Sequence, residues 1–269
     1  MPPAALSMLR SLPAFRALAL CVGALLLAGS ACAAQADIAS LIDAAGRQRM
    51  LTQRIVKAYC QVGLQVTPQA SRAQLVAAID RFDAQLTMLA TNVSDAGMRA
   101  AVIDMSRLWG GFRQTASGRV SREGARELAA RSEGLLQASQ ALVLLLERDA
   151  GTPEARLINT AGRQRMLSQR MAKLYMLRAW GIDAASIQGE IDAAAAQFAG
   201  ALAVLNAAPE NTAEIQRELE AVSGQWEWFR SAIELQGAES YALVVAEASE
   251  SMLASIDRIT ARYARLARR

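Results

Sequence analysis

Residues 42–59 read IDAAGRQRMLTQRIVKAY, and residues 158–175 read INTAGRQRMLSQRMAKLY. Twelve of the 18 positions are identical, and the string AGRQRML recurs intact 116 positions further on. The match continues more weakly at nearly the same offset. Phe82, Leu86 and Leu89 correspond to Phe198, Leu202 and Leu205, and WGGFR at 109–113 corresponds to WEWFR at 226–230. The chain is therefore a tandem duplication of a unit of about 115 residues, far longer than a solenoid repeat.

Within each unit apolar residues recur at the helical period and strand alternation is missing. Turn-forming clusters at 67–71, 91–97 and 116–124 divide the first unit into helices expected near 38–66, 70–91, 95–116 and 121–149. Pro153 stands where a helix would begin its first turn. Breaks near 181–183, 207–211 and 237–239 divide the second unit in the same way. Four helices with short connections predict an up-down-up-down bundle. The expected fold is all-α: two tandem antiparallel four-helix bundles, residues 37–150 and 151–269, after a cleaved signal peptide over 1–36.

That leader is read from Arg10 and Arg16, an apolar run over 17–28, and the small-x-small tripeptide AQA at 34–36. Lipid anchoring at Cys32 is the alternative. Periplasmic export is expected, and no later segment is apolar enough to span a membrane. Cleavage would remove Arg10 and Arg16, lowering the net charge of +4 by two, and would leave Cys60 as a lone cysteine that reads as a small buried apolar residue. Such weak charge argues against nucleic acid as a partner. The 269 residues contain no histidine, which excludes histidine metal sites and Ser-His-Asp catalysis. No paired carboxylates, nucleophile motif or phosphate-cradling loop is found, so neither an enzyme nor a cofactor or metal is expected. Glu123, Glu127 and Glu133 read as exposed helix charges, and Trp109, Trp226 and Trp228 as core.

The seam of the first helix runs Ile38, Leu41, Ala45, Gln48, Thr52, Ile55, Tyr59, Val62, and that of the second copy Leu157, Ala161, Gln164, Ser168, Met171, Tyr175. Both are apolar at the ends and polar in the middle, so the polar layer needs partners across the bundle or a bound group; a layer that merely sets register is the simpler reading. Arg49 and Arg54 flank the seam, with Arg47 nearly in line with Arg54. All recur, as Arg165, Arg170 and Arg163, and so does Lys57, as Lys173. Guanidinium forks suit planar oxyanions. Gly46 and Gly162 sit in mid-helix at a cost of up to about 1 kcal/mol each, which suggests close helix approach, room for a ligand, or a kink.

At these residues the sequence resembles the PilJ-type domain of type IV pili methyl-accepting chemotaxis transducers. It is similar also to the P-box of the NarX/NarQ-type nitrate/nitrite sensors. The resemblance implies a periplasmic four-helix bundle in which P-box arginines of two subunits bind the anion at their interface. Those arginines match Arg49 and Arg54, and Arg165 and Arg170 in the second copy; the preceding Ala-Gly matches residues 45–46 and 161–162. The expectation is a sensing or binding module without its own output domain, paired as an intramolecular pseudo-dimer or a homodimer. Arg49, Arg54, Arg165 and Arg170, with Arg47, Arg163, Gly46 and Gly162, would take a nitrate- or nitrite-like anion, and a membrane receptor or sensor partner would read the result. The alternative is a structural or adaptor protein whose motif serves helix packing.

Overall fold

A computed structural model describes residues 13–182, 184–234 and 239–268, with the side chains of 13–37, 184–185 and 239–240 outside that description. The described residues form eight helices: α1 (Pro13–Gly63), α2 (Pro68–Asn92), α3 (Ala96–Ala116), α4 (Arg122–Ala150), α5 (Pro153–Ala179), α6 (Ala184–Asn206), α7 (Ala213–Glu234) and α8 (Glu239–Leu266). Of the leader expected over 1–36, residues 1–12 lie outside the described residues, and the rest is described only as helical backbone. No described helix is long and apolar enough to cross a membrane.

Local chemistry starts and stops the helices where the breaks predict. Pro68 and Pro153 occupy first-turn positions, where the missing N–H costs nothing. Asp95, Ser121 and Thr152 accept hydrogen bonds from the N–H groups of Met98, Gly124 and Ala155, satisfying donors that a helix start leaves open. The α4–α5 link turns at Gly151, whose φ of 63° is in the left-handed region that favours glycine.

Helices α1–α4 pack in a ring, as do α5–α8, so the tandem helical bundles expected from the duplication are present. Each has an aromatic stack between its second and third helices: Phe82 on Trp109 at 3.9 Å and Phe198 on Trp226 at 4.5 Å between centroids. Trp109 and Trp226 are core as expected, but Trp228 is exposed. It lies two residues from Trp226, and a helix turns through roughly 200° over two residues.

The two bundles lie side by side, and α1 packs along α5. Gly46 of α1 meets Gly162 of α5, and further along both helices Gly63 meets Trp180 at the end of α5, so the two helices run in the same direction. Each is thus covered by its own bundle on one side and by the other copy on the other. Little of either motif stays solvated, Arg163 being the exposed exception. Gln48, Arg49, Thr52, Gln53 and Lys57 are all buried, as are Gln164, Arg165, Ser168, Gln169 and Lys173.

Candidate functional site

The site is the crossing of α1 and α5. A Cβ built on Gly162 would stand 4.0 Å from the Cα of Gly46, so the backbones meet at the two glycines. The same Cβ would stand 3.1 Å from Nη2 of Arg49 and 3.3 Å from Nη2 of Arg165; one on Gly46 would stand 3.3 and 3.5 Å from them. Both guanidinium groups therefore thread the gap that the missing side chains leave. This gives the mid-helix glycines a reason: close approach together with passage for two arginines.

Arg165 is fully buried and held by two carboxylates. Its Nη1 donates to Asp257 at 2.8 Å and its Nη2 to Asp43 at 2.7 Å. Arg47 contacts the same pair, 3.1 Å from Asp43 and 3.2 Å from Asp257. Burial alone would lower the Arg165 pKa, but Asp43 and Asp257 more than offset it and the pKa is raised. Burial likewise works to raise the Asp43 carboxyl, which Arg165 and Arg47 hold below its ordinary value.

Arg49, equally buried, has no carboxylate partner among the described residues. Its Nη1 donates to Oε1 of Gln140 at 2.5 Å and its Nη2 to the main-chain oxygen of Asn159 at 3.3 Å. Burial, then the positive charges of Arg165 and Arg163, lower its pKa to about 9, with Glu147 opposing. Beside Arg49 a groove of about 380 Å³ opens between α4, α5 and α6, walled in part by Gln140, Leu144, Asn159, Arg163 and Gln197. Arg163 is exposed and donates to Oε1 of Gln197 at 2.9 Å.

Arg54 and Arg170 do not join Arg49 and Arg165. Arg54 pairs with Glu250 of α8 at 2.5 Å. Arg170 pairs with Glu133 of α4 and Glu190 of α6, at 2.9 and 3.3 Å. They lie two turns beyond the glycines, where carboxylates of two different helix sets draw them apart. The buried lysines accompany them: Lys57 donates to Glu250 and Ser249, and Lys173 to Ser132 at 3.4 Å. Burial lowers each lysine to about 8. The seam glutamines each make one bond within their own bundle, Gln48 donating to the carbonyl of Phe82 and Gln164 to that of Phe198, while the side-chain oxygen of each is buried without a partner among the described residues. Cys60 is buried, and burial pushes its thiol up to about 12.

Sequence reading missed Asp43, Asp257, Gln140, Asn159 and Glu250, and it took Glu133 for a plain surface charge. A helix-periodic sequence marks an acid on α4 or α8 as facing solvent. The neighbouring bundle gives Glu133 and Glu250 their basic partners and gives Asp257 its second one.

A family model described as "Type IV pili methyl-accepting chemotaxis transducer N-term" matches residues 32–133 and 151–266. Nothing matches the chain among the curated proteins or the solved structures. The two matched segments contain the two copies of the motif helix and most of the bundle that surrounds each. The chain belongs to this PilJ family and carries the domain twice in tandem.

Proposed function

We propose that this chain is a periplasmic sensing module that binds a small oxyanion, of the planar class that nitrate, nitrite and carboxylates share, at the α1–α5 crossing and signals through a partner, a membrane receptor or sensor. Its family supplies the sensing role in chemotaxis. One observation carries the anion: Arg49 is a buried guanidinium without a carboxylate, beside a second buried guanidinium. Such an arrangement is costly unless an anion offsets it. Arg163 adds positive charge at the groove, and Gly46 and Gly162 give the space. An anion held between arginines of α1 and α5 would favour the arrangement in which those helices are closest, and a partner could read the shift.

Arg47, Arg54, Arg165 and Arg170 are engaged with carboxylates of the chain itself. For them the packing role is favoured, and they frame the site. The test is calorimetry on protein purified free of small anions, titrated with nitrate, nitrite, formate and acetate. Binding by the wild type, lost in Arg49→Ala and retained in Arg54→Ala, is the expected result. Absence of heat with all four anions overturns the reading.

A further inference from the structure

Several polar pairs around α1 and α5 obey the internal symmetry. Ser249 accepts from Lys57 as Ser132 does from Lys173, and Glu250 takes Arg54 as Glu133 takes Arg170. These pairs set the correspondence between α4 and α8 at 117 residues, whereas α1 and α5 correspond at 116. In that register Asp257 corresponds to Gln140 and Asp43 to Asn159. The two groups on Arg165 are carboxylates; the two groups that stand in the same relation to Arg49 belong to amide residues. Asn159 turns its side chain to Glu147 and offers Arg49 only its main-chain oxygen.

The charge count differs accordingly. Around Arg165 and Arg47 stand two carboxylates, so that half is neutral. Arg49 and Arg163 have no ion pair among the described residues: they donate to Gln140, to the main chain of Asn159 and to Gln197, and the nearby Glu147 is engaged by Asn159. The groove opens on this half. Its volume of about 380 Å³ is several times that of a three-oxygen anion, and its walls mix amides with the exposed apolar side chains of Leu144 and Val204.

We infer that the crossing holds one anion per chain, on the Arg49 half alone, and that this anion is a small organic carboxylate. Its carboxylate lies against Arg49 and Arg163, and its body lies in the groove between α4, α5 and α6. Asp43 and Asp257 act as the built-in equivalent of that ligand for Arg165, so the second half needs nothing from outside. This rests on the reading that the crossing binds an anion, and it sharpens both the stoichiometry and the chemical class.

Calorimetry with acetate, lactate, succinate and nitrate tests it. The wild type should bind one organic carboxylate per chain, at least tenfold more tightly than nitrate. Gln140→Glu, nearly isosteric, should supply the missing carboxylate, raise the melting temperature in anion-free buffer and weaken binding at least tenfold. Gly200 lines the groove and has open space around it; Gly200→Phe should weaken lactate and succinate at least tenfold and leave nitrate unchanged. No binding by the wild type to any of the four sinks the anion reading itself. Wild-type binding of two anions per chain, or undiminished binding in Gln140→Glu, overturns the one-sided site and leaves the anion reading standing. Nitrate bound as tightly as lactate and succinate, or Gly200→Phe without effect, overturns the organic class.

Discussion

At the scale of single residues, Arg49 and Arg165 are a matched pair with opposite energetics. They occupy the same position of the repeat and are equally buried, yet only Arg165 has carboxylates. Removing one partner of a buried ion pair strands the other charge at a cost of about 3–5 kcal/mol. Arg165→Met should therefore destabilise the chain by roughly 3 kcal/mol, because Arg47 still touches Asp43 and Asp257. Arg49→Met removes a buried charge that has only neutral acceptors, and should stabilise the anion-free chain by roughly 1–3 kcal/mol. Urea unfolding of the two variants in anion-free buffer checks the contrast. Equal losses in both would show that Arg49 is compensated as fully as Arg165.

At the scale of the elements, α1 and α5 are joined by glycines that do different work. A Cβ on Gly63 would fall 2.1 Å from the Trp180 ring at the end of α5. A bulky aromatic of the other bundle must move to admit it, so Gly63→Ala should cost about 1–3 kcal/mol. At Gly162 the nearest atoms are the far ends of two arginines, at 3.1 and 3.3 Å. Those ends can yield, and alanine gains up to about 1 kcal/mol of helix propensity over glycine. Gly162→Ala should leave the melting temperature within a few degrees of wild type while weakening anion binding, since Arg49 must shift. Thermal melts beside calorimetry on both variants separate the packing glycine from the site glycine.

At the scale of the whole molecule, docking the bundles buries ionisable groups that each bundle alone would leave wetter. Lys173 faces Arg170 on its own helix, Ser132 and Glu133 on α4, Glu190 on α6 and Cys60 on α1. Its pKa falls from 10.5 to about 8, and that of Lys57 does the same. Below pH 8 both lysines are charged in the folded and unfolded chain alike, and the burial cost is fully present. Between about 8 and 10.5 the folded chain gives up the proton while the unfolded chain keeps it, so unfolding takes up protons and stability rises with pH. From pH 7.5 to 9, each lysine should add about 1 kcal/mol. From about pH 8 an unfolded Cys60 begins to ionise and opposes the trend, since its folded pKa is about 12. Unfolding midpoints at pH 7.5 and 9 should show the rise in the wild type and about half of it in Lys173→Met. A flat profile in the wild type would mean that water reaches both amines.

The duplication, the helical class and the eight helices were legible in the sequence, and so were their boundaries to within a few residues, except the start of α1, which lies at Pro13 where 38 was expected. Repeat identity, helical periodicity and capping chemistry are local, and a string of residues carries them in full. The motif arginines and glycines were legible as a group for the same reason. The division among them was not. Arg49 meets Arg165 while Arg54 and Arg170 part, because α1 lies along α5 and the acids on α4 and α8 come from opposite sides. Asp43 and Asn159 stand at matching places in the two copies, but what the exchange means depends on which guanidinium faces each residue. A charge acquires its partner, and so its cost, only when distant segments pack around it in a medium too dry to screen it. The sequence by itself determined two copies of one helical unit and the side chains they present; the docking of the copies decided which arginine is neutralised by the chain and which is left with a charge to be met.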